Sequence, residues 1–210
     1  MEALLDIENY IHAVASGEPV PGGGSVAGVV ASLGAALGAM VTNFTIGKKK
    51  FSNHQKKAEE TVLILNDQIR KLMDLAQKDI NTYTTVAKAY ALPKETESDK
   101  KIRAQAIENA SEMALKVPFE IMKMATKVSD ALKDLSQYGN PNLDSDMAGA
   151  ALLINAASET CFFCVYANIP FIKDIEKVNA IKKNIHDMRS QVNSDCQKIV
   201  TTVSYRMNIS

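Results

Sequence analysis

The chain has 210 residues, enough for one domain with a sizeable hydrophobic core, and its 24 basic residues balance its 24 acidic residues. This balance argues against the cationic surface of a nucleic-acid-binding protein. Three cysteines, an odd number, argue against a disulfide framework and favour a reducing cytoplasm. Tryptophan is absent, and alanine, leucine and lysine are plentiful, a composition typical of helical proteins.

Apolar residues recur at helical spacing along the chain, and no segment has the alternating pattern of a β-strand. Proline and glycine residues mark most of the helix ends. The predicted helices cover residues 3–16, 25–47, 54–92, 96–117, 118–138, 145–167 and 173–206. Pro118 either kinks the chain or begins a new helix. We therefore predict an all-α fold in which residues 1–210 form a single domain, a multi-helix up-and-down bundle with long amphipathic helices and a central apolar helix rich in glycine and alanine.

The central apolar segment, residues 26–46, carries no charge and is long enough to cross a bilayer. Its many glycines and alanines, and polar residues such as Ser32 and Thr42, make it only weakly hydrophobic. This favours the buried helix of a soluble bundle over a membrane span. Small side chains at helical spacing also let neighbouring helices approach closely.

A glycine-rich turn precedes this helix. Gly22, Gly23 and Gly24 leave the first backbone N–H groups uncovered, and Ser25 is the predicted N-cap. Such a helix start can bind an anion or the polar edge of a ring, although many glycine turns serve only the fold. It lacks the lysine of a phosphate loop and follows no strand, which argues against a nucleotide site.

Lys48, Lys49 and Lys50 follow the other end of the same helix. Cations stabilise a helix C-terminus and are usually solvated, but three lysines beside a turn could also bind a carboxylate tail. The two ends of the helix are ~30 Å apart, too far for one compact ligand to reach both within one subunit.

Asp79 is the candidate catalytic residue that the helical pattern selects. It lies on the same face of its helix as Leu72, Tyr83 and Val86, so its carboxyl group should lean into apolar surroundings. Burial raises the pKa of a carboxyl group towards the range that is useful for proton transfer. The alternative is an ordinary acid at the edge of the helix seam that reaches solvent or forms a salt bridge.

The loop formed by residues 140–144 leads into a second group of polar residues. Asp144 or Ser145 can cap the following helix, and an acid in the first turn stabilises it. One of the two acids, Asp144 and Asp146, is explained in this way. Asp146 is left as a candidate for a functional role.

Cys161 and Cys164 have the spacing of a redox or metal-binding pair, but neither a helix-starting context nor a second ligand pair accompanies them. The three histidines, His12, His54 and His186, are scattered. We interpret these cysteines as small packed hydrophobic residues, and we expect neither a metal site nor a Ser-His-Asp arrangement.

Four stretches occur in order along nearly the whole chain. They are residues 19–25 (PVPGGGS), residues 43–51 with the lysine run, Asp79 with residues 89–94 (AYALPK), and residues 139–146 with GNPNL and SD. Together they resemble the cyclodeaminase/cyclohydrolase family of tetrahydrofolate enzymes. That family includes the C-terminal domain of formiminotransferase-cyclodeaminase and freestanding methenyltetrahydrofolate cyclohydrolases.

The resemblance implies an all-helical domain that forms a homodimer or larger homo-oligomer and handles a folate one-carbon unit without a metal or nicotinamide cofactor. It also implies catalytic roles for Asp79 and Asp146. The residues that it implies to bind substrate are Gly22, Gly23, Gly24, Ser25, Asn43, Lys48, Lys50, Asn140 and Ser145. Two positions depart from the family pattern: Cys164 stands where we expect an asparagine, although Asn168 is kept, and Phe51 stands where tyrosine is frequent.

The expected substrate is 5,10-methenyltetrahydrofolate, with or without a polyglutamate tail, and the expected reaction is its hydrolysis to 10-formyltetrahydrofolate. The alternative is the cyclodeaminase reaction, which converts 5-formiminotetrahydrofolate to the 5,10-methenyl form and ammonia. The absence of a formiminotransferase domain favours the hydrolase. A non-catalytic folate-binding or scaffold protein is the third hypothesis. We expect a cytoplasmic protein that binds neither nucleic acid nor a membrane.

Overall fold

The computed structural model describes residues 7–209, which form α-helices joined by short connections. The helices, numbered in chain order, are α1 (Ile7–Ala15), α2 (Gly23–Asn43), α3 (Gln55–Tyr90), α4 (Glu97–Tyr138), α5 (Asp144–Asn168) and α6 (Ile175–Arg206). Short 3-10 helices lie at Lys49–His54, Pro141–Leu143 and Ile169–Phe171. No β-strand occurs within the described range, so the predicted all-α fold is confirmed. Residues 3–6 of the predicted first helix lie outside the described part of the chain.

Helix α2 is the centre of the bundle and packs against α3, α5 and α4. Its glycines permit this close packing. A Cβ at Gly28 would lie 2.9 Å from the Cβ of Ala76 on α3, and one at Gly34 would lie 3.0 Å from the carbonyl oxygen of Ala150 on α5. The predicted bundle around a central glycine- and alanine-rich helix is therefore confirmed.

Two segments, α2 and the stretch Pro141–Phe171 around α5, are long and apolar enough to cross a membrane. Most of the apolar stretch of α2 and nearly half of that around α5 are buried inside the bundle. In this structure both segments therefore serve as core helices.

The start of α2 differs from the prediction. Its N-cap is Gly22, which has an extended backbone, and no side chain caps the helix. Ser25, the predicted cap, lies inside the first turn, because its hydroxyl group is hydrogen-bonded to Tyr10 on α1 instead. The helix also ends earlier than predicted, at Asn43, and Gly47 follows with a φ of +75°.

Helix α4 is longer than predicted because it continues through Pro118. Proline has no amide hydrogen, so the carbonyl group of Ala114 loses its usual partner four residues later. Burial of Pro118 among the other helices compensates for this loss and keeps the helix continuous. The predicted start of this helix is confirmed, since Thr96 and Asp99 form a reciprocal capping box.

Candidate active site

A cleft of about 290 Å³ opens where α2 begins. One side is formed by α3, and the others by the turn before α2, the part of α4 around Pro118 and the end of α5. The lining residues are Pro19, Val20, Gly22, Gly24, Asp79, Thr82, Tyr83, Val86, Ala114, Pro118, Cys164, Ala167 and Asn168. Within the part of the chain that the structure describes, Asp79 is the only acidic or basic residue of this lining.

The glycine turn and α3 together hold the carboxyl group of Asp79. The backbone N–H of Ser25 donates a hydrogen bond of 2.9 Å to Asp79 Oδ2. A Cβ at Gly24 would lie 2.6 Å from Asp79 Cγ and 2.7 Å from Oδ2, so only glycine allows this approach without a shift. Asp79 therefore occupies the predicted position, half-buried beside the glycine turn.

Burial raises the pKa of Asp79 above the ordinary value of a carboxyl group, and the hydrogen bond from the Ser25 N–H opposes this shift in part. No nearby cation contributes to the shift, which argues against the salt-bridged alternative. A carboxyl group in this state can exchange a proton nearer to neutral pH than an exposed aspartate can.

The side chain of Ser25 does not line the cleft. Ser25 is fully buried, and its hydroxyl group lies 3.0 Å from the hydroxyl group of Tyr10, which is also buried. Burial keeps this side chain away from the cleft, so a role of Ser25 in substrate binding, which stays a prediction, would have to use its backbone. Its backbone N–H acts on Asp79 instead.

Cys164 and Asn168 both line the cleft. A Cβ at Gly23 would lie 3.2 Å from Cys164 Sγ, so the thiol packs on the glycine turn. Burial and the neighbouring Asp79 charge raise the pKa of Cys164 to about 11. The interpretation of the cysteines as packed residues is confirmed for Cys161, which is fully buried, but it overlooked the place of Cys164 in the cleft.

Sequence reasoning missed the contribution of α4 to the cleft. Pro118 and Ala114 lie together in the lining, one turn apart. Because Pro118 has no N–H, the Ala114 carbonyl oxygen lacks its usual helical partner. Tyr83 also lines the cleft, and its position one turn after Asp79 is a sequence signal that could have identified it.

The remaining predicted site residues lie around the opposite end of α2. They are Asn43, Lys48, Lys50, Asn140, Ser145 and Asp146. Asn140 ties this end together, because its N–H donates to Thr45 Oγ1 at 3.0 Å and its Nδ2 donates to the Phe44 carbonyl oxygen at 3.1 Å. The length of α2 separates this group from Asp79 by ~30 Å, so one subunit does not bring the two groups together.

Asp144, and not Asp146, is the buried acid of the turn before α5. It does not cap the helix but pairs with Arg206 at the end of α6, whose Nε donates to Asp144 Oδ2 at 2.9 Å. Arg206 also donates to the Ser136 carbonyl oxygen at 2.8 Å. Asp146 is half-buried and lies in the first turn of α5, where its charge stabilises the helix start.

Residues 7–209 contain no cluster of three or more histidine, cysteine, aspartate or glutamate side chains that could hold a metal ion. The groups that could act on a ligand in the cleft are therefore the Asp79 carboxyl group, the first N–H groups of α2, the Ala114 carbonyl oxygen and the polar side chains beside them.

Comparison with known proteins shows the family of the chain. A family model described as formiminotransferase-cyclodeaminase matches residues 6–187. The methenyltetrahydrofolate cyclohydrolase of Methylorubrum extorquens is 30% identical over 202 residues, which are 96% of this chain and 97% of that protein. The formimidoyltransferase-cyclodeaminase of Gallus gallus is 30% identical over 165 residues, 79% of this chain but only 30% of that longer protein.

The crystal structure of formiminotetrahydrofolate cyclodeaminase from Thermotoga maritima superposes on the fold with a TM-score of 0.88 and 28% identity. The match covers 99% of this chain and all of that one. The predicted resemblance is thus confirmed, and the chain belongs to the formiminotransferase-cyclodeaminase family.

Proposed function

We propose that this enzyme hydrolyses 5,10-methenyltetrahydrofolate to 10-formyltetrahydrofolate in the cytoplasm. The observation that carries the proposal is Asp79, a half-buried carboxyl group without a cationic partner, held by the glycine turn in a cleft. The end-to-end similarity to a freestanding cyclohydrolase supports this choice of reaction. A cytoplasmic setting agrees with the free thiols of all three cysteines.

The methenyl carbon of the substrate is an amidinium cation joined to N5 and N10. Water attacks this carbon, Asp79 accepts a proton from the water, and the negative charge of its carboxylate stabilises the cationic centre before attack. The C–N5 bond then breaks, the carboxyl group returns its proton to N5, and the hydroxyl proton leaves to solvent as the formyl C=O forms. One proton is released overall, as charge balance requires.

Backbone groups would orient the pterin ring. The N–H groups of Gly23 and Gly24 lie in the first turn of α2, where no carbonyl of the same helix can accept from them, and they suit an oxygen or ring nitrogen. The Ala114 carbonyl oxygen suits a ring N–H on the other side of the cleft. These groups fix orientation, whereas Asp79 carries the proton.

The cyclodeaminase reaction is the second candidate, and the T. maritima structure favours it. There N10 attacks the formimino carbon, and Asp79 would supply a proton to the departing ammonia. Absorbance at the methenyl band separates the two reactions. Loss of the band from methenyltetrahydrofolate indicates the hydrolase, and its appearance from formiminotetrahydrofolate with release of ammonia indicates the deaminase. Tight folate binding without either turnover would instead support a non-catalytic folate-binding protein.

A homodimer would complete the site. The outer face of α1 and α2 is apolar and uncovered: Ile11 is 59% exposed, Leu33 is 45% exposed, and together with their neighbours they line a groove of about 370 Å³. A twofold axis near Leu33 would place the start of α2 in one subunit beside its end in the other, because Gly22 and Phe44 are equidistant from Leu33 in sequence. The partner subunit's Asp146 would then lie near Asp79.

In this arrangement the second group of predicted site residues faces the substrate from the partner. Subunit complementation tests it. Asp79→Asn and Asp146→Asn variants are each expected to lose most activity, but a 1:1 mixture refolded together should recover about a quarter of wild-type activity, because half of the dimers regain one intact site. A mixture as inactive as its parents would refute the shared site.

A further inference from the structure

A second cavity lies at the end of the bundle where α3 finishes and α4 begins. It encloses about 420 Å³, and six of its lining residues are cationic or aromatic. They are Tyr90, Lys94, Lys100, Arg103, Phe171 and Lys173. No acidic residue belongs to this lining in the described part of the chain, so the cavity is positively charged.

This cavity continues the cleft of Asp79 along the same three walls. On α3 the lining passes from Val86 in the cleft to Tyr90 in the cavity, one helical turn later. On α4 it passes from Ala114 back to Ile107, and after α5 it passes from Asn168 in the cleft to Pro170 of the next 3-10 helix in the cavity. The two cavities therefore adjoin, and we refer to them together as the trough. Tyr90 lies ~17 Å along α3 from Asp79.

Two of the four cations are already paired. Lys100 forms an ion pair of 2.7 Å with Glu97, and Lys173 forms one of 2.9 Å with Glu108. Such pairs neutralise the charge of these lysines and reduce their attraction for a ligand.

Lys94 and Arg103 are the unpaired cations of the cavity. Neither forms an ion pair with an acid among residues 7–209. The residue Arg103 is half-buried, and its guanidinium group donates to the Tyr90 carbonyl oxygen at 3.3 and 3.4 Å and lies 5.5 Å from the centre of the Tyr90 ring. These contacts fix its orientation and leave further N–H donors, which match a carboxylate well.

We propose that this cavity binds the glutamate tail of the folate substrate, with Lys94 and Arg103 as its carboxylate ligands. The inference rests on the proposed function, because it needs the pterin ring at Asp79. The aminobenzoyl group and first glutamate then extend along the trough, and each further γ-linked glutamate adds more than the ~3.5 Å of an extended peptide residue. Tails of several glutamates reach both cations, so polyglutamylated substrates bind more tightly than the monoglutamate.

The direct test uses 4-aminobenzoylpentaglutamate, which carries the tail without the pterin ring. Isothermal titration calorimetry compares the wild type with the double variant Lys94→Gln/Arg103→Gln. Loss of two charge-assisted contacts is expected to weaken binding at least ~10-fold, and added salt should weaken wild-type binding similarly. Lys101→Gln is the matched control, because Lys101 is exposed on the same turn of α4 but lies outside the lining.

Arg103 also stabilises the end of α3, so Lys94→Gln alone is measured as a variant that removes no intramolecular contact. The proposal would be overturned if both variants bound 4-aminobenzoylpentaglutamate as tightly as the wild type, or if the wild type did not bind it. It would also be overturned if Lys48→Gln/Lys50→Gln lost affinity for this probe instead. Kinetics separates this outcome from failure of the proposed function. Turnover with equal KM values for mono- and pentaglutamate refutes the tail site alone, whereas no turnover of either folate refutes the function.

Discussion

Replacement of Asp79 by asparagine tests the central chemical role directly. The amide keeps the size of the side chain, and its oxygen can still accept the hydrogen bond that the Ser25 N–H donates at 2.9 Å. It can neither accept the water proton nor carry the negative charge. Loss of general acid–base catalysis alone typically lowers a rate ~10²- to 10⁴-fold, so we expect kcat to fall by at least ~100-fold while folate still binds.

The same variant should not destabilise the fold. Burial raises the pKa of Asp79, so the native state holds its proton more tightly than the unfolded chain does. The resulting stabilisation is fully present below the unfolded-state pKa and is lost as the pH rises through the native-state pKa. At neutral pH the variant avoids this loss, and its free energy of unfolding should equal or exceed that of the wild type.

The assays are the methenyl absorbance for kcat, fluorescence titration for folate binding and urea denaturation for stability, the last repeated from acidic to neutral pH. Asp74→Asn is the matched control, since Asp74 is an exposed acid on the same helix and outside the cleft. A kcat of Asp79→Asn within tenfold of the wild type, with the control unchanged, would remove Asp79 from the mechanism. A variant that fails to bind folate would indicate a binding role instead.

Three further predictions concern the supports of the site. Gly24→Ala should lower kcat with little change in helix content by circular dichroism, because its Cβ would lie 2.6 Å from Asp79 Cγ and displace the carboxyl group. Asp144→Ala should lower the free energy of unfolding, measured by urea denaturation, by ~3 kcal/mol, because it leaves the largely buried Arg206 guanidinium without its acidic partner. The double variant Asp144→Ala/Arg206→Met should recover part of this loss. Cys164 should react slowly with maleimide at neutral pH and much faster above its pKa of about 11, as mass spectrometry can follow, and fast reaction at neutral pH would contradict its placement.

The fold was predictable because its helices repeat a local pattern. The capping box of Thr96 and Asp99 and the apolar face of α3 both follow from spacing within a few residues. Of the two alternatives at Pro118, the start of a new helix is wrong, because the sequence shows only the backbone hydrogen bond that proline lacks, whereas packing of the whole of α4 decides whether the helix continues. Ser25 was misplaced for a similar reason, since Tyr10 on another helix competes for its hydroxyl group.

The part of the candidate site that could be predicted is the part that is visible as a pattern within a single helix. Asp79 could be found because its helical neighbours are apolar, but no local pattern tells which residues of other helices face it. Lys94 ends the stretch 89–94 and Arg103 lies nine residues later, and no local pattern relates them to Asp79. Only the folded chain brings the cationic cavity next to the Asp79 cleft. The glycine turn lines the Asp79 cleft, and the apolar face of α2 that we propose as the subunit contact begins directly after it, at Val26, so the proposed substrate site and the proposed interface adjoin. A substitution there that preserves the helix can therefore still abolish activity.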